Sequence, residues 1–227
     1  MYIRTQRALA VGVSDVSRTT LVRLIKKLEI DSYKEFKLLL NRKEENAVYL
    51  YDLQDIVKEY HIMVDELKKH DYEKICEIIY RADTIYLYGT GNEQKTIAEE
   101  FKRIFLMFGK FCIDLFDLGE VRIARERFKN NDLFLAISLS GENQDAIEVV
   151  RAVQETGIRT MALTRWANNT LARVVQENLY VGTKTVHHTF GQSYEMVVAF
   201  YILLDILSVR YLEYTEKYKE ETENEDR

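Results

Sequence analysis

The sequence predicts an α/β sandwich in which helices cover both faces of a parallel sheet. Short apolar runs recur at Thr84–Tyr88, Phe111–Phe116, Leu133–Ser138, Arg159–Leu163 and Asn178–Val181. Amphipathic stretches separate or follow them: Gln94–Phe108, Gly119–Phe128, Asn143–Glu155, a short one near Thr170–Val174, and a long one from about Gln192 to Tyr214. Strands apolar on both faces and spaced by helices belong to a sheet that is covered on both sides.

The rest of the chain arranges itself around that domain, which is expected over residues 82–214. Residues 44–81 read as a helical linker, with Leu50, Leu53, Ile56, Val57, Met63, Val64 and Leu67 as an apolar stripe. Asp71 is placed to cap the second linker helix, which would bury Ile75, Ile78 and Ile79. From Thr215 six acids face three bases with no evident apolar anchor, so residues 215–227 are expected to fray. The chain has no proline, which leaves long helices uninterrupted. The helix after Gly191 reads Met196-Val197-Val198-Ala199-Phe200-Tyr201-Ile202-Leu203-Leu204, apolar almost all round. Such a helix must be buried in a core or between subunits, so a homodimer is expected.

Charge divides the chain. The net charge is −5, yet residues 1–43 carry ten Lys/Arg against four acids, +6, which leaves −11 for the remainder. A basic head on an acidic body fits a head that meets phosphate backbones. No run approaches the roughly 18 consecutive apolar residues of a membrane span, and the start has no apolar signal segment. Cys76 and Cys112 lack metal-ligand spacing and read as buried reduced thiols of a cytoplasmic protein. Neither a metal nor a cofactor is expected.

Two strand-to-helix junctions carry the chemistry. At the first, Thr84–Tyr88 runs into Gly89-Thr90-Gly91-Asn92-Glu93-Gln94, where glycines permit close approach to a ligand and the next helix offers free N–H groups. Lys95 and Thr96 stand where a dinucleotide fingerprint would need its third glycine, so NAD binding is set aside. At the second, Leu133–Ile137 ends in Ser138-Leu139-Ser140-Gly141-Glu142-Asn143. Hydroxyl and amide donors converge there against a helix start, which suits a phosphate monoester. Taken alone, Ser140 reads as a helix cap, with Glu142 favourable in the first turn.

The Ser138–Asn143 run, preceded by Gly89–Gln94 and followed by Ala162-Leu163-Thr164, Leu171-Ala172 and Asn178–Val181 in order, resembles the sugar isomerase (SIS) domain over about residues 75–212. The resemblance implies a three-layer α/β/α sandwich with a five-stranded parallel, flavodoxin-like sheet. It also implies that Ser138, Ser140 and Asn143 hold a sugar phosphate. Gly89, Gly91, Asn92, Glu93, Gly141, Glu142 and His188 would complete that phosphosugar site.

Upstream, Val16-Ser17-Arg18-Thr19-Thr20-Leu21-Val22-Arg23-Leu24-Ile25-Lys26-Lys27-Leu28, then Asp31-Ser32-Tyr33-Lys34-Glu35-Phe36-Lys37, resembles the recognition helix and next helix of RpiR-type transcriptional regulators. Ser17 would cap a helix that turns Leu21, Leu24, Ile25 and Leu28 inward. Arg18, Thr19, Thr20, Arg23 and Lys26 would then meet DNA. The chain departs from that family in three places. Glu93 replaces a small hydroxyl residue, Glu29 replaces a glycine, and the match fades upstream of Val16, so the helix-turn-helix of residues 1–43 is expected to be incomplete.

Two other functions fit parts of this pattern. A sugar-phosphate isomerase would need a base, for which Glu93, Glu142 and His188 are candidates, with His187 beside the last. A dimerisation scaffold without ligand would need only the apolar helix.

Overall fold

The computed structural model describes residues 52–187 and 193–225, most of which fall in one compact unit formed by Tyr51–Thr185 and Glu195–Arg227. Two helices open it, α1 (Leu53–Leu67) and α2 (Tyr72–Arg81). Asp52 and Asp71 cap them, accepting from the Gln54 and Lys74 amides. The α/β part follows as β1 (Thr84–Gly89), α3 (Asn92–Met107), β2 (Phe111–Leu115) and α4 (Leu118–Ala124), which ends in a 3-10 turn (Arg125–Arg127). Then come β3 (Leu133–Ser138), α5 (Gln144–Gln154), β4 (Arg159–Arg165), α6 (Thr170–Val174) and β5 (Glu177–Val181). Strands β6 (Lys184–His187) and β7 (Ser193–Met196) pair separately, and α7 (Val198–Glu225) closes the chain.

The main sheet has five parallel strands in the order β2-β1-β3-β4-β5. One face carries Tyr86, Tyr88, Leu115, Phe134, Ala136 and Ala162, packed under Val121 of α4, Ala146, Val149, Val150 and Val153 of α5, and Leu171 of α6. The alternate residues of the same strands, among them Ile85, Leu87, Leu135, Ile137, Met161 and Leu163, are also buried. Their side of the sheet meets α3 and α7, whose Phe101, Phe105, Phe200, Leu203, Leu204 and Leu207 are buried in turn. All six residues of β3 are buried, because β3 is the central strand with helices on both sides. The three-layer sandwich foreseen from the alternation of runs and helices is the fold observed.

Three segments differ from the reading of the sequence. Residues 193–196 form β7, so α7 begins at Val198 rather than near Gln192. The tail does not fray at Thr215 but continues as helix to Glu225. Its anchor is aromatic: Tyr80 of α2 meets the rings of Tyr214 and Tyr218 at centroid distances of 5.8 and 4.8 Å. Finally, α5 starts at Gln144, one residue later than the Asn143–Glu155 stretch, for a reason that lies in the site itself. Among the described residues no helix is long and apolar enough to cross a membrane, and no group of His, Cys, Asp and Glu could hold a metal ion.

Candidate functional site

The strand order creates a crevice. From β1 the chain passes through α3 to β2 on one side, then returns to β3 on the other side of β1. The connections leaving β1 and β3 therefore enter helices on opposite faces of the sheet, and their carboxyl ends part at the point where doubly wound sheets take ligands. The β1–β3 ladder continues one bond into this region, with the Thr90 amide donating to the Ile137 carbonyl at 3.1 Å.

Both predicted loops lie at this point. At the end of β1 a Cβ on Gly89 would fall 2.7 Å from the Gln94 carbonyl carbon, so only glycine allows α3 to start so close to the strand. Gly91 is the N-cap of α3 and makes no side-chain cap bond. Asn92 and Glu93 stand exposed in the first turn of α3, where Thr96 Oγ1 donates to the Glu93 carbonyl. Gln94, in the same turn, is buried.

The loop after β3 is built with more constraint. Ser138 is 1% exposed, and its Oγ is buried with no hydrogen-bond partner. Ser140 Oγ accepts from the Glu142 amide at 3.1 Å, a local turn rather than a helix cap. Gly141 has φ +67°, a left-handed conformation that favours glycine. The cap of α5 is Asn143, whose Oδ1 accepts from the Ala146 amide at 2.9 Å. That is why the helix starts at Gln144, with the Asn143 Oδ1 committed to the cap.

Glu142 does not join α5. Its carboxylate accepts from the Thr170 amide at 2.9 Å and from the Thr170 hydroxyl at 2.8 Å, both at the start of α6. These bonds hold its carboxyl below the ordinary glutamate value. Two backbone bonds lie beside this contact, Arg165 N–H to Leu139 O at 3.0 Å and Leu171 N–H to Gly141 O at 2.9 Å. Behind them Asn169, 1% exposed, donates to Thr164 Oγ1 at 3.0 Å and caps α6 by accepting from the Ala172 amide at 2.8 Å. Thr164 in turn contacts Asn178 of β5 at 3.2 Å.

Sequence reasoning missed Thr164, Asn169, Thr170 and Asn178. Asn169 carried a readable signal, since an asparagine before Thr170-Leu171-Ala172 is a favourable N-cap. The others act through contacts between distant segments. The structure brings Gly89, Gly91, Asn92 and Glu93 to one lip of the crevice, and Ser138, Ser140, Gly141 and Asn143 to the other. His188 and the six head residues Ser17, Arg18, Thr19, Thr20, Arg23 and Lys26 lie outside the described residues. Cys76 and Cys112 are free thiols away from the crevice, both pushed up to about 12 by burial, though Cys112 is only half-buried.

A doubly wound domain with a serine-rich loop at its switch point is the architecture of a small-ligand binder. Residues 78–210 match the SIS domain family, and the chain belongs to that family. It is 33% identical over 221 residues to the HTH-type transcriptional regulator GlvR of Bacillus subtilis, covering 95% of this chain and 85% of that one. Two solved structures share the fold, each at a TM-score of 0.60 and 20% identity. The sugar isomerase domain of an RpiR transcription factor from Sphaerobacter thermophilus covers 74% of this chain and 97% of its own. The Vibrio vulnificus NanR protein, complexed with ManNAc-6P, covers 96% of this chain and 82% of its own.

Proposed function

We propose that this protein is a cytoplasmic transcription regulator of carbohydrate metabolism whose SIS domain senses a phosphorylated sugar. The observation that carries the reading is the Ser138 hydroxyl, a buried polar group without a partner at the carboxyl end of the central strand. Such a group costs about 1–3 kcal/mol, and native proteins keep one where something else satisfies it. A phosphate oxygen is a suitable acceptor, with Ser140, Asn143 and the amides of the loop around it.

Regulation rather than catalysis is supported by the relative matched over 95% of this chain, a transcriptional regulator, and by the loop itself. Both oxygens of Glu142 are engaged by Thr170, which occupies one of the three candidate bases of an isomerase reading. The basic residues Arg18, Arg23 and Lys26, with Thr19 and Thr20 on a helix capped by Ser17, would contact DNA. A homodimer fits the exposed Val198, Val209 and Leu212 of α7, apolar side chains that lie outside the buried set of Ala199, Phe200, Leu203, Leu204, Leu207 and Tyr211.

Calorimetric titration with a panel of hexose and aminosugar 6-phosphates, followed by operator binding at physiological salt with and without the best ligand, tests the proposal. One phosphosugar should bind and change DNA affinity. Turnover of a panel member, or no binding by any of them, would overturn it. Light scattering at micromolar concentration should return the mass of a dimer.

A further inference from the structure

We propose that Glu142 and Thr170 are positioning residues which fix the β3–α5 loop in its anion-accepting conformation and hold the Glu142 charge away from the ligand. The inference rests on the phosphosugar reading above and names what regulates that same site.

Among the described residues, the loop from Leu139 to Asn143 is tied to the β4–α6 segment. The carbonyls of Leu139 and Gly141 accept from the amides of Arg165 and Leu171. A trans peptide carries its N–H opposite its C=O, and the chain has no cis bond among the described residues. Pinning those two carbonyls on the β4–α6 segment therefore turns the Ser140 and Glu142 N–H groups to the opposite side. The Glu142 N–H then meets Ser140 Oγ, which as an acceptor leaves the Ser140 proton to donate elsewhere.

Glu142 completes the arrangement. A free carboxylate one residue from Gly141 would repel a phosphate. Here two donors from Thr170 draw it across to α6, and Arg173 adds positive charge on that side while itself donating to Thr170 Oγ1 at 3.2 Å. The contact thus braces the segment whose backbone bonds orient the donors, and it removes a competing charge. Neither residue is buried in the core, so replacing either leaves the fold intact.

Four variants test this: E142Q, E142A, T170V and T170S. Amide hydrogen exchange over residues 139–143 reads the loop without any ligand, and calorimetry with glucose 6-phosphate reads the site. T170V and E142A should speed exchange in that segment and weaken binding by roughly two- to tenfold, the effect of one ordinary hydrogen bond. E142Q, which keeps one acceptor and loses the charge, should be milder, and T170S should match wild type in both measurements. Wild-type exchange and affinity in T170V and E142A would overturn the inference. So would a T170S variant as impaired as T170V, since that would assign the effect to the methyl group. If S138A and S140A weaken binding while the Glu142 and Thr170 variants do not, this inference alone falls. If wild type binds neither glucose 6-phosphate nor inorganic phosphate, the phosphate-site reading falls and carries this inference with it.

Discussion

Gly141 and Asn169 occupy the same space so fully that a Cβ on the glycine would overlap the asparagine side-chain amide. Gly141 also sits at φ +67°. Replacing it with alanine should therefore cost about 1–3 kcal/mol, from backbone strain and from a neighbour that cannot retreat without uncapping α6. Urea denaturation measures this, and an unchanged midpoint for G141A would mean that Asn169 yields freely.

Ser138 should show opposite effects on stability and on binding. Alanine there removes a buried hydroxyl that has no partner, so the free protein should become more stable by up to about 1–3 kcal/mol. The same change should weaken phosphosugar binding at least tenfold, because a hydrogen bond to a charged group is worth about 1.5–3 kcal/mol. Thermal melts with and without ligand report both. A variant less stable than wild type and equally good at binding would mean that Ser138 is structural.

The fold was legible because burial on both faces leaves a direct mark on composition. Leu133–Ser138 has almost nothing polar, and its two flanking helices required that. The same logic failed for β6 and β7, whose Lys184–His187 and Ser193–Met196 are short, mixed and carry no alternation to distinguish them from loop. The site divided in the same way. Ser138, Ser140 and Gly141 are adjacent in sequence and could be read together, whereas the partners of their loop lie some 28 positions on, as Thr170 does from Glu142. Glu142 looked like a first-turn acid of α5, and nothing local says that a hydroxyl on another segment captures it.

Acid should loosen that capture. The bonds from Thr170 depress the Glu142 carboxyl below its ordinary 4.5. A carboxyl lowered in the folded state contributes above its unfolded value, and its contribution fades as pH falls through the folded one. The contact is thus complete at neutral pH and lost only below pH 4.5. The Thr170 amide resonance should titrate in that range in wild type and stay flat in E142Q. Because Glu142 is solvent-exposed, global stability should hardly register the change.

Tyr218 should set the length of α7. Its ring lies 4.8 Å from Tyr80 and 6.2 Å from Tyr214, centroid to centroid. Replacing it with alanine should fray the helix beyond about Tyr214, lower the far-ultraviolet helical signal and raise amide exchange over 215–225. Protection equal to wild type would show that Lys217–Glu73, at 3.2 Å, is enough to hold the segment.

Trp166, the only tryptophan, offers an internal reporter. It is 60% exposed, its amide is bonded to the Val181 carbonyl at 2.8 Å, and the Lys69 amine stands 5.5 Å over its ring. Arg165, next to it, is bonded to Leu139 of the serine loop. Free protein should emit as a solvated indole, and occupancy of the loop by a phosphosugar should shift intensity with the calorimetric midpoint. Saturating ligand without any change in emission would argue that the two segments move independently.

Thr164 links more than it first suggests. Asn178 on the edge strand β5 meets its hydroxyl, Asn169 meets the same oxygen, and Asn169 lies against Gly141. A change at the rim of the sheet is therefore passed through three contacts to the turn that holds the serines. Under the proposed phosphosugar role, altering the serine loop alone should not suffice to retune the ligand. The edge strand would have to drift in step, and a loop grafted from a relative without its matching Asn178, Thr164 and Asn169 should arrive in the wrong shape.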